Sequence, residues 1–135
     1  MSRRNKALVC QFLEEVVNCG NTKLLPELVA PGHVRHSPDG DLYGPEGIRI
    51  ELQEWRTGFP DLVLAVEDLI AEGDRVVSRF VLRGTHRGTF LAVPATGQRV
   101  EVAGIGVDRV REGRLAESWV SFDGLGLLRQ LSDRT

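Results

Sequence analysis

Residues 100–131 decide the fold of this chain, and they read VEVAGIGVDRVREGRLAESWVSFDGLGLLRQL. Apolar and polar residues alternate on both sides of Glu112-Gly113, which predicts two antiparallel strands, 98–110 and 114–122, joined by a two-residue turn. Asp123 follows the second strand directly. Because aspartate is unfavourable in strands, a carboxylate at the end of an apolar strand requires an explanation, and proton transfer is one.

The turn also predicts how the two strands pair. If Glu112 and Gly113 form the turn, Arg111 lies opposite Arg114, and the other pairs follow by counting back along the strands. Successive side chains of a strand point to opposite faces, although a β-bulge would change the assignment. One face is then predicted to carry Gly104, Gly106, Asp108, Glu117, Trp119, Ser121 and Asp123, and the other Ala103, Ile105, Val107, Ser118, Val120 and Phe122.

The first of these faces is predicted to line a cavity. Glycine inside a strand often marks the close approach of a ligand, and Gly104 and Gly106 lie beside a tryptophan and acidic residues on this face. The second face is almost wholly apolar and is predicted to point outward. Since a large exposed apolar face usually marks an interface, we expect a homodimer or a homotetramer assembled through this outer sheet face.

The composition fits a single domain over residues 1–135. Hydrophobic residues make up 41% of the chain, and 17 basic against 19 acidic residues give a net charge of −2. There is no basic stripe with interleaved aromatic residues and no apolar run near the ~18–20 residues that cross a bilayer. Glu14 and Glu15 interrupt the apolar stretch behind the basic N-terminus, unlike in a signal peptide. We therefore expect a cytoplasmic protein that binds neither nucleic acid nor membrane.

The remaining patterns predict helices followed by strands. Apolar residues first recur at helical spacing, and the period changes to two from Leu62 onward. Helices separated from a run of antiparallel strands are typical of an α+β fold, in which a curved sheet could wrap around the helices. The predicted elements are helices at 5–18, 22–30 and 44–56, a short strand at 34–36 within an irregular connection over 31–44, strands at 62–71, 75–84, 98–110 and 114–122, and a C-terminal helix at 124–131.

Short motifs follow one another along nearly the whole chain. They are NCGN at 18–21, VRHSP at 34–38, GPEGI at 44–48, FPDL at 59–62, IAEGDRVV at 70–77, GTHRG at 84–88, PATG at 94–97, EGRLAE at 112–117 and GLL at 126–128. No single motif is specific, but the ordered series resembles the SnoaL-like polyketide cyclases of the nuclear transport factor two-like superfamily. The resemblance implies a cone-shaped, cystatin-like α+β barrel, with a curved antiparallel or mixed sheet wrapped around three N-terminal helices.

The resemblance also implies a reaction. In the aromatic polyketide cyclases of this family, an aspartate at the end of the last long strand is the acid/base, and it corresponds to Asp123. The implied function is that of a cofactor-independent cyclase of antibiotic biosynthesis, which performs an intramolecular aldol condensation on an anthracycline-type aromatic polyketide ester by acid/base catalysis. A Schiff-base mechanism is not expected, because no lysine follows Lys23. Alternatively, Asp123 caps the helix at 124–131.

A flat hydrophobic substrate needs an apolar pocket with a few polar groups. Aromatic residues suit its walls, although ordinary core packing accounts for any one of them. Asp108 is a candidate second acid or a solvated residue, and Arg79 is expected to pair with Asp68 or with a pocket carboxylate. The predicted substrate-binding residues are His36, Trp55, Phe59, Arg79, His86, Phe90, Gly104, Gly106, Asp108, Trp119 and Ser121.

No metal site or cofactor is predicted, because the 3 histidines lie at different places in the predicted fold. Two other functions remain open at this level. A cofactor-independent hydroxylase would use the same pocket for an aromatic polyketide, and a protein without catalytic activity would bind a small hydrophobic ligand there.

Overall fold

The computed structural model describes residues 2–132, which form four α-helices and six strands. The first helix, α1, spans Ser2–Gln11 and continues as a π-helical segment, Phe12–Asn18. A 3-10 turn, Thr22–Leu24, leads into α2. The other helices are α2, Leu25–Leu28; α3, Gly44–Gly58; and α4, Gly124–Ser132. The strands are β1, Val29–Ser37; β2, Gly40–Tyr43; β3, Val63–Glu72; β4, Arg75–Thr85; β5, Arg99–Arg111; and β6, Arg114–Phe122.

The six strands form one mixed sheet in the order β2-β1-β6-β5-β4-β3. Strand β1 runs parallel to β6, and all other neighbours are antiparallel. The predicted α+β class with a mixed sheet is therefore confirmed. The sheet is open, with β2 and β3 at its edges, whereas the resemblance implied a barrel.

The region after the second helix is more regular than expected. The predicted helix at 22–30 ends at Leu28, and most of the connection over 31–44 is the β1–β2 hairpin. Val29 is fully buried at the start of β1, and Pro31 and Gly32 are the residues least able to continue a helix. The parallel pairing of β1 with β6 depends on contacts remote in sequence, so local patterns did not reveal the full length of β1.

A β-bulge at Ala116 shifts the register of β6 by one residue. The hairpin begins as predicted, with Arg111 opposite Arg114 and Val110 opposite Leu115, but Arg109 then lies opposite Glu117. The extra residue in one strand reverses which side chains face inward beyond it. The predicted faces of β6 are therefore wrong: Ser118, Val120 and Phe122 lie on the inner face with Asp108, and Trp119 and Ser121 lie on the outer face.

Hydrophobic burial explains the bulge. Leu115 is buried at the start of β6, and Val120 and Phe122 pack against the core near its end. Leu115 has an odd number and the other two have even numbers, so a regular strand would point them to opposite faces. One inserted residue allows all three to face the helices.

The core lies between the inner face of the sheet and the helices. Helix α1 packs on β3 and β4, and α3 packs on β1. Among the residues with the least exposure are Val9 and Val16 from the N-terminal helix, Ile48 from α3, and Val76 and Leu115 from the sheet. This arrangement leaves a cavity between the middle of the sheet and the N-terminal half of the chain.

Candidate active site

The cavity is enclosed by the π-helical segment, by α3, by Leu62 before β3, and by the inner face of β1, β3, β4, β5 and β6. Its empty volume is about 750 Å³, a figure that includes solvent space at its mouth. The lining residues are Phe12, Leu13, Val17, Arg35, Ser37, Ile48, Glu51, Leu52, Trp55, Leu62, Leu64, Ser78, Phe80, Leu82, Gly106, Asp108, Val120 and Phe122.

Aromatic and aliphatic side chains form most of the cavity wall. The rings of Trp55 and Phe122 meet edge to face with centroids 5.4 Å apart, and Trp55 also contacts Phe90, with centroids 4.7 Å apart. Two more phenylalanine side chains line the cavity, Phe12 on the π-helical segment and Phe80 on β4. Such walls suit a flat, largely apolar ligand.

Asp108 is a buried carboxyl group within this apolar cavity. Its residue is 8% exposed, and its Oδ1 accepts a hydrogen bond from Ser118 Oγ, directly across the β5–β6 pairing. Burial raises the pKa of Asp108, while the Ser118 hydrogen bond and the positive charge of Arg35 oppose that rise. A carboxyl group with a raised pKa holds or accepts a proton closer to neutral pH than an exposed aspartate does.

His33 extends the hydrogen bonding behind Ser118. Its Nε2 lies 2.8 Å from Ser118 Oγ, and the residue is 1% exposed. Burial, followed by the charge of Arg35, lowers the pKa of His33 to about 4, with Glu117 acting in the opposite direction and His36 adding to the decrease. The imidazole is therefore neutral at physiological pH. Its Nδ1 is buried without a hydrogen-bond partner within residues 2–132.

An ion pair lies in the same cavity wall. Arg35 Nε on β1 is 2.7 Å from Glu51 Oε1 on α3, and the two side chains are 17% and 18% exposed. Only Nε of the guanidinium takes part in this bond, and arginine carries further N–H donors on its two terminal nitrogens. A positive charge of this kind can stabilise an oxygen that becomes negative during a reaction.

Three of the residues predicted from the sequence lie in the cavity wall: Trp55, Gly106 and Asp108. A Cβ at Gly106 would lie 3.3 Å from Ser78 Oγ, a tight contact that a small movement of the serine side chain would relieve. Gly104 is on the same face but is covered by an aromatic ring. A Cβ there would lie 2.5 Å from Phe80 Cζ, so the absent side chain of Gly104 makes room for protein and not for a ligand.

Four of the predicted residues lie on the outer face, away from the cavity. Arg79 pairs with Asp68, the predicted partner, at 2.7 Å on the exposed surface. Trp119 and Ser121 are on that face because of the bulge. His36 stacks on Trp119, with centroids 5.6 Å apart, and hydrogen bonds to Glu117 and Asp41 raise its pKa.

Three more are packed in the interior beside the cavity. Phe59 is fully buried and lies against His86, with the two rings tilted and their centroids 5.4 Å apart. Nδ1 of His86 lies 2.9 Å from Thr96 Oγ1, which fixes the loop before β5. Phe90 belongs to that loop and is buried against Trp55. These side chains support the wall that Trp55 forms.

Asp123 is exposed and lies outside the residues that line the cavity. Its Oδ1 accepts a hydrogen bond of 2.9 Å from the backbone N–H of Gly126, and its carbonyl oxygen accepts one from Leu127. Both bonds satisfy groups at the start of α4, as the capping alternative predicted.

Sequence reasoning missed Arg35, Glu51 and the roles of His33 and Ser118. Arg35 lies in the motif at 34–38 that carried part of the resemblance, but only the pairing of β1 with β6 brings it near Asp108. Ser118 had a recognisable signal. The change from odd to even numbering between Leu115 and Phe122 indicates a bulge, and a bulge places Ser118 opposite Asp108.

Two further properties concern the whole described region, residues 2–132. It contains no group of three or more histidine, cysteine, aspartate or glutamate residues arranged to hold a metal ion. None of its helices is both long enough and apolar enough to cross a membrane.

Known proteins resemble this chain over most of its length. The aklanonic acid methyl ester cyclase DauD of Streptomyces sp. (strain C5) is 30% identical over 125 residues, which cover 88% of this chain and 76% of DauD. The structure of IdmH from Streptomyces antibioticus, described as a candidate polyketide cyclase, is 34% identical with a TM-score of 0.85 and covers 96% of this chain and 99% of IdmH. The structure of AclR from Streptomyces galilaeus, described as a candidate hydroxylase, is 27% identical with a TM-score of 0.87 and covers 100% of both chains.

The family model described as SnoaL-like polyketide cyclase matches residues 7–131. This match and the similarity to DauD confirm the family and the enzyme class that the motifs predicted. The chain belongs to the SnoaL-like polyketide cyclase family.

Proposed function

We propose that this protein closes a ring in an aromatic polyketide ester by an intramolecular aldol reaction, with Asp108 as the acid/base. The observation that carries the proposal is a buried carboxyl group with a raised pKa in an aromatic-walled cavity. The substrate class follows the name of the relative DauD, an aklanonic acid methyl ester cyclase.

The steps balance with one carboxylate and no external reductant or oxidant. Asp108 takes a proton from a carbon that is flanked by a carbonyl or ester group, and the electron pair becomes an enolate. The enolate carbon attacks a ketone carbon of the same molecule, so one carbon–carbon bond forms and the ketone oxygen becomes an alkoxide. Asp108 returns the proton to that oxygen. The product is an isomer of the substrate.

Arg35 supports the charged stages of this reaction. Negative charge develops first on the enolate oxygen and then on the alkoxide, and a fixed guanidinium in a cavity of low polarity stabilises such charge more than water does. Glu51 holds Arg35 through its Nε, so the cation is oriented before the substrate arrives. The aromatic wall around Trp55 would hold the ring system and exclude water.

Asp108→Asn should remove most of the activity. The amide retains the shape of the side chain but cannot accept the proton, so turnover of an aromatic polyketide methyl ester should fall by about 10²–10⁴-fold. The measurement is the rate of ring closure by purified variants, followed by chromatography. Asp123→Asn is the matched control, because it changes the other candidate aspartate outside the cavity. Its turnover should remain within a few-fold of the unmodified protein.

Two results would contradict this assignment. If Asp108→Asn retains turnover within a few-fold while melting normally, Asp108 is not the acid/base. If Asp123→Asn is the variant that loses turnover, the role belongs to Asp123, as the family resemblance implied.

Hydroxylation of a similar substrate is the second candidate, and the similarity to AclR favours it. A hydroxylase consumes molecular oxygen and adds an oxygen atom to its product, whereas aldol closure leaves the elemental composition unchanged. An oxygen electrode and the mass of the product therefore separate the two reactions. Oxygen uptake in step with product formation would establish hydroxylation.

We also propose that two copies associate through the outer face of the sheet. This face carries both apolar side chains and charges of both signs, in the pairs Arg79–Asp68 and Arg83–Glu101. A surface with both signs can meet a second copy of itself across a two-fold axis. The apolar side chains on this face include Ile70, Val77, Val81, Ala103, Ile105 and Val107.

A further inference from the structure

We propose that Ser118 and His33 are positioning residues for Asp108. In this chain of donors, His33 donates a hydrogen bond to Ser118 and Ser118 donates one to Asp108. The two bonds stabilise the ionised carboxylate, which is the form that accepts the substrate's proton. This inference rests on the proposed acid/base role of Asp108. It adds two residues to the site, and neither belongs to the residues that line the cavity.

The direction of the chain follows from counting protons. Ser118 Oγ bonds to Asp108 Oδ1 on one side and to His33 Nε2, at 2.8 Å, on the other. A hydroxyl group has one hydrogen to donate. When Asp108 is ionised it can only accept, so Ser118 must donate to Asp108 and accept from Nε2–H of His33.

The environment of His33 Nδ1 also favours donation from His33 to Ser118. In a neutral imidazole with the proton on Nε2, Nδ1 is an acceptor. Nδ1 is buried and has no hydrogen-bond partner among the residues that the structure describes. In the reversed chain, Ser118 would donate to Nε2 and the proton would sit on Nδ1. A buried N–H donor without a partner is rarer and less tolerable than an unpartnered acceptor. The reversed chain is therefore disfavoured.

The surroundings of the two residues favour a neutral His33, and the charge of Arg35 favours an ionised Asp108. His33 stays neutral at physiological pH because burial and Arg35 lower its pKa to about 4, although Glu117 opposes them and His36 contributes slightly. Arg35 also faces Asp108 and favours its ionised form, and Glu51 shares the cavity but is paired with Arg35. Protonation of His33 therefore does not interfere near neutral pH.

The test is the titration of Asp108 in variants that break each link. Ser118→Ala removes the donor to the carboxylate, so the pKa of Asp108 should rise by about one unit. The acid limb of the pH profile of kcat/KM should move to higher pH by the same amount, which is about a tenfold loss on that limb. His33→Phe should cause a smaller shift in the same direction. His33→Gln retains a donor near the Nε2 position and should restore most of the original profile.

The titration is measured directly by carbon-13 NMR of the aspartate carboxyl groups. The Asp108 signal is assigned by its absence from Asp108→Asn. Ser121→Ala is the matched control, because it removes a serine hydroxyl from the outer face of the same strand. The control should leave the Asp108 signal unmoved.

The outcomes separate this inference from the proposed function. If the Asp108 signal titrates at the same pH in Ser118→Ala and in the unmodified protein, the donor chain does not set the charge of Asp108 and the inference fails. If His33→Gln shifts the titration as far as His33→Phe, the donor at Nε2 is not the cause, and that link fails. Neither measurement needs turnover, whereas the proposed function depends on the turnover of Asp108→Asn.

Discussion

Asp108 and Asp123 lie in different environments. The carboxylate of Asp123 is exposed and satisfies the backbone N–H of Gly126 at the start of α4. That of Asp108 is buried among apolar side chains, where the uncharged form is favoured more than in water. The same functional group therefore stabilises a helix at one position and is suited to proton transfer at the other.

Removal of the Asp123 cap should affect stability and not turnover. Asp123→Ala leaves the Gly126 N–H without its side-chain acceptor, which costs about 1 kcal/mol of unfolding free energy and lowers Tm by about 4 °C for a domain of this size. Asp123→Asn should be neutral, because asparagine is an equally good cap. Thermal melts of the two variants test this contrast. Equal melting of Asp123→Ala and the unmodified protein would show that the cap contributes nothing.

Two strands of the sheet are paired, where no neighbouring strand is present, by a side-chain amide. Asn18 donates from Nδ2 to the Leu64 carbonyl and accepts from the Leu64 N–H at edge strand β3. Gln130 makes the same pair of bonds with Glu101 of β5, before β6 begins to pair with it. Each amide satisfies both backbone groups of one strand residue. The Asn18 pair also fixes a wall of the cavity, because Leu64 lines it.

Loss of the Asn18 amide should destabilise the fold and loosen the cavity wall. Asn18→Ala removes two hydrogen bonds and leaves both groups of Leu64 without these partners, which should cost about 1–3 kcal/mol. Asn21→Ala, in the exposed turn that follows, is the matched control and should change stability by less than about 0.5 kcal/mol. Urea unfolding followed by circular dichroism measures both. A midpoint for Asn18→Ala equal to that of the control would contradict the assigned role.

Strand β5 contributes side chains to two surfaces of the molecule, the cavity and the outer face of the sheet. Along β5, Gly106 and Asp108 face the helices and line the cavity, while the alternating residues Ile105 and Val107 face outward. Strand alternation makes this division unavoidable. The candidate active site and the proposed dimer contact are thus on opposite faces of the same strand, and an assembly through the outer face would support the strand that carries Asp108.

The unmodified protein should be a dimer at micromolar concentration, and Ile105→Asp should make it a monomer. Ile105 is 49% exposed at the centre of the outer face, and a carboxylate there would lose its hydration if a second copy covered it. Leu125→Asp is the matched control, because Leu125 is 61% exposed on α4. Light scattering gives the masses. A monomeric unmodified protein would rule out this assembly.

Local sequence patterns predicted most of the elements but only part of the site. The β5–β6 turn at Glu112-Gly113 and the helix at 44–56 depend on residues close in sequence, and both are present. Of the predicted substrate-binding residues, Trp55, Gly106 and Asp108 line the cavity. The placement of Trp119 and Ser121 was wrong, because a regular alternation was extended through a bulge.

The α+β class, the family and the hairpin turns could be read from local patterns, since turn chemistry and hydrophobic period act over a few residues. Which aspartate is buried depends on contacts between residues that are remote in sequence. The bulge at Ala116 forms because Leu115 and Phe122 must both reach the core, and this requirement places Ser118 opposite Asp108. The parallel pairing of β1 with β6 then brings His33 to Ser118 across 85 residues of sequence. Burial in the completed core, which no local pattern encodes, gives Asp108 its chemical character.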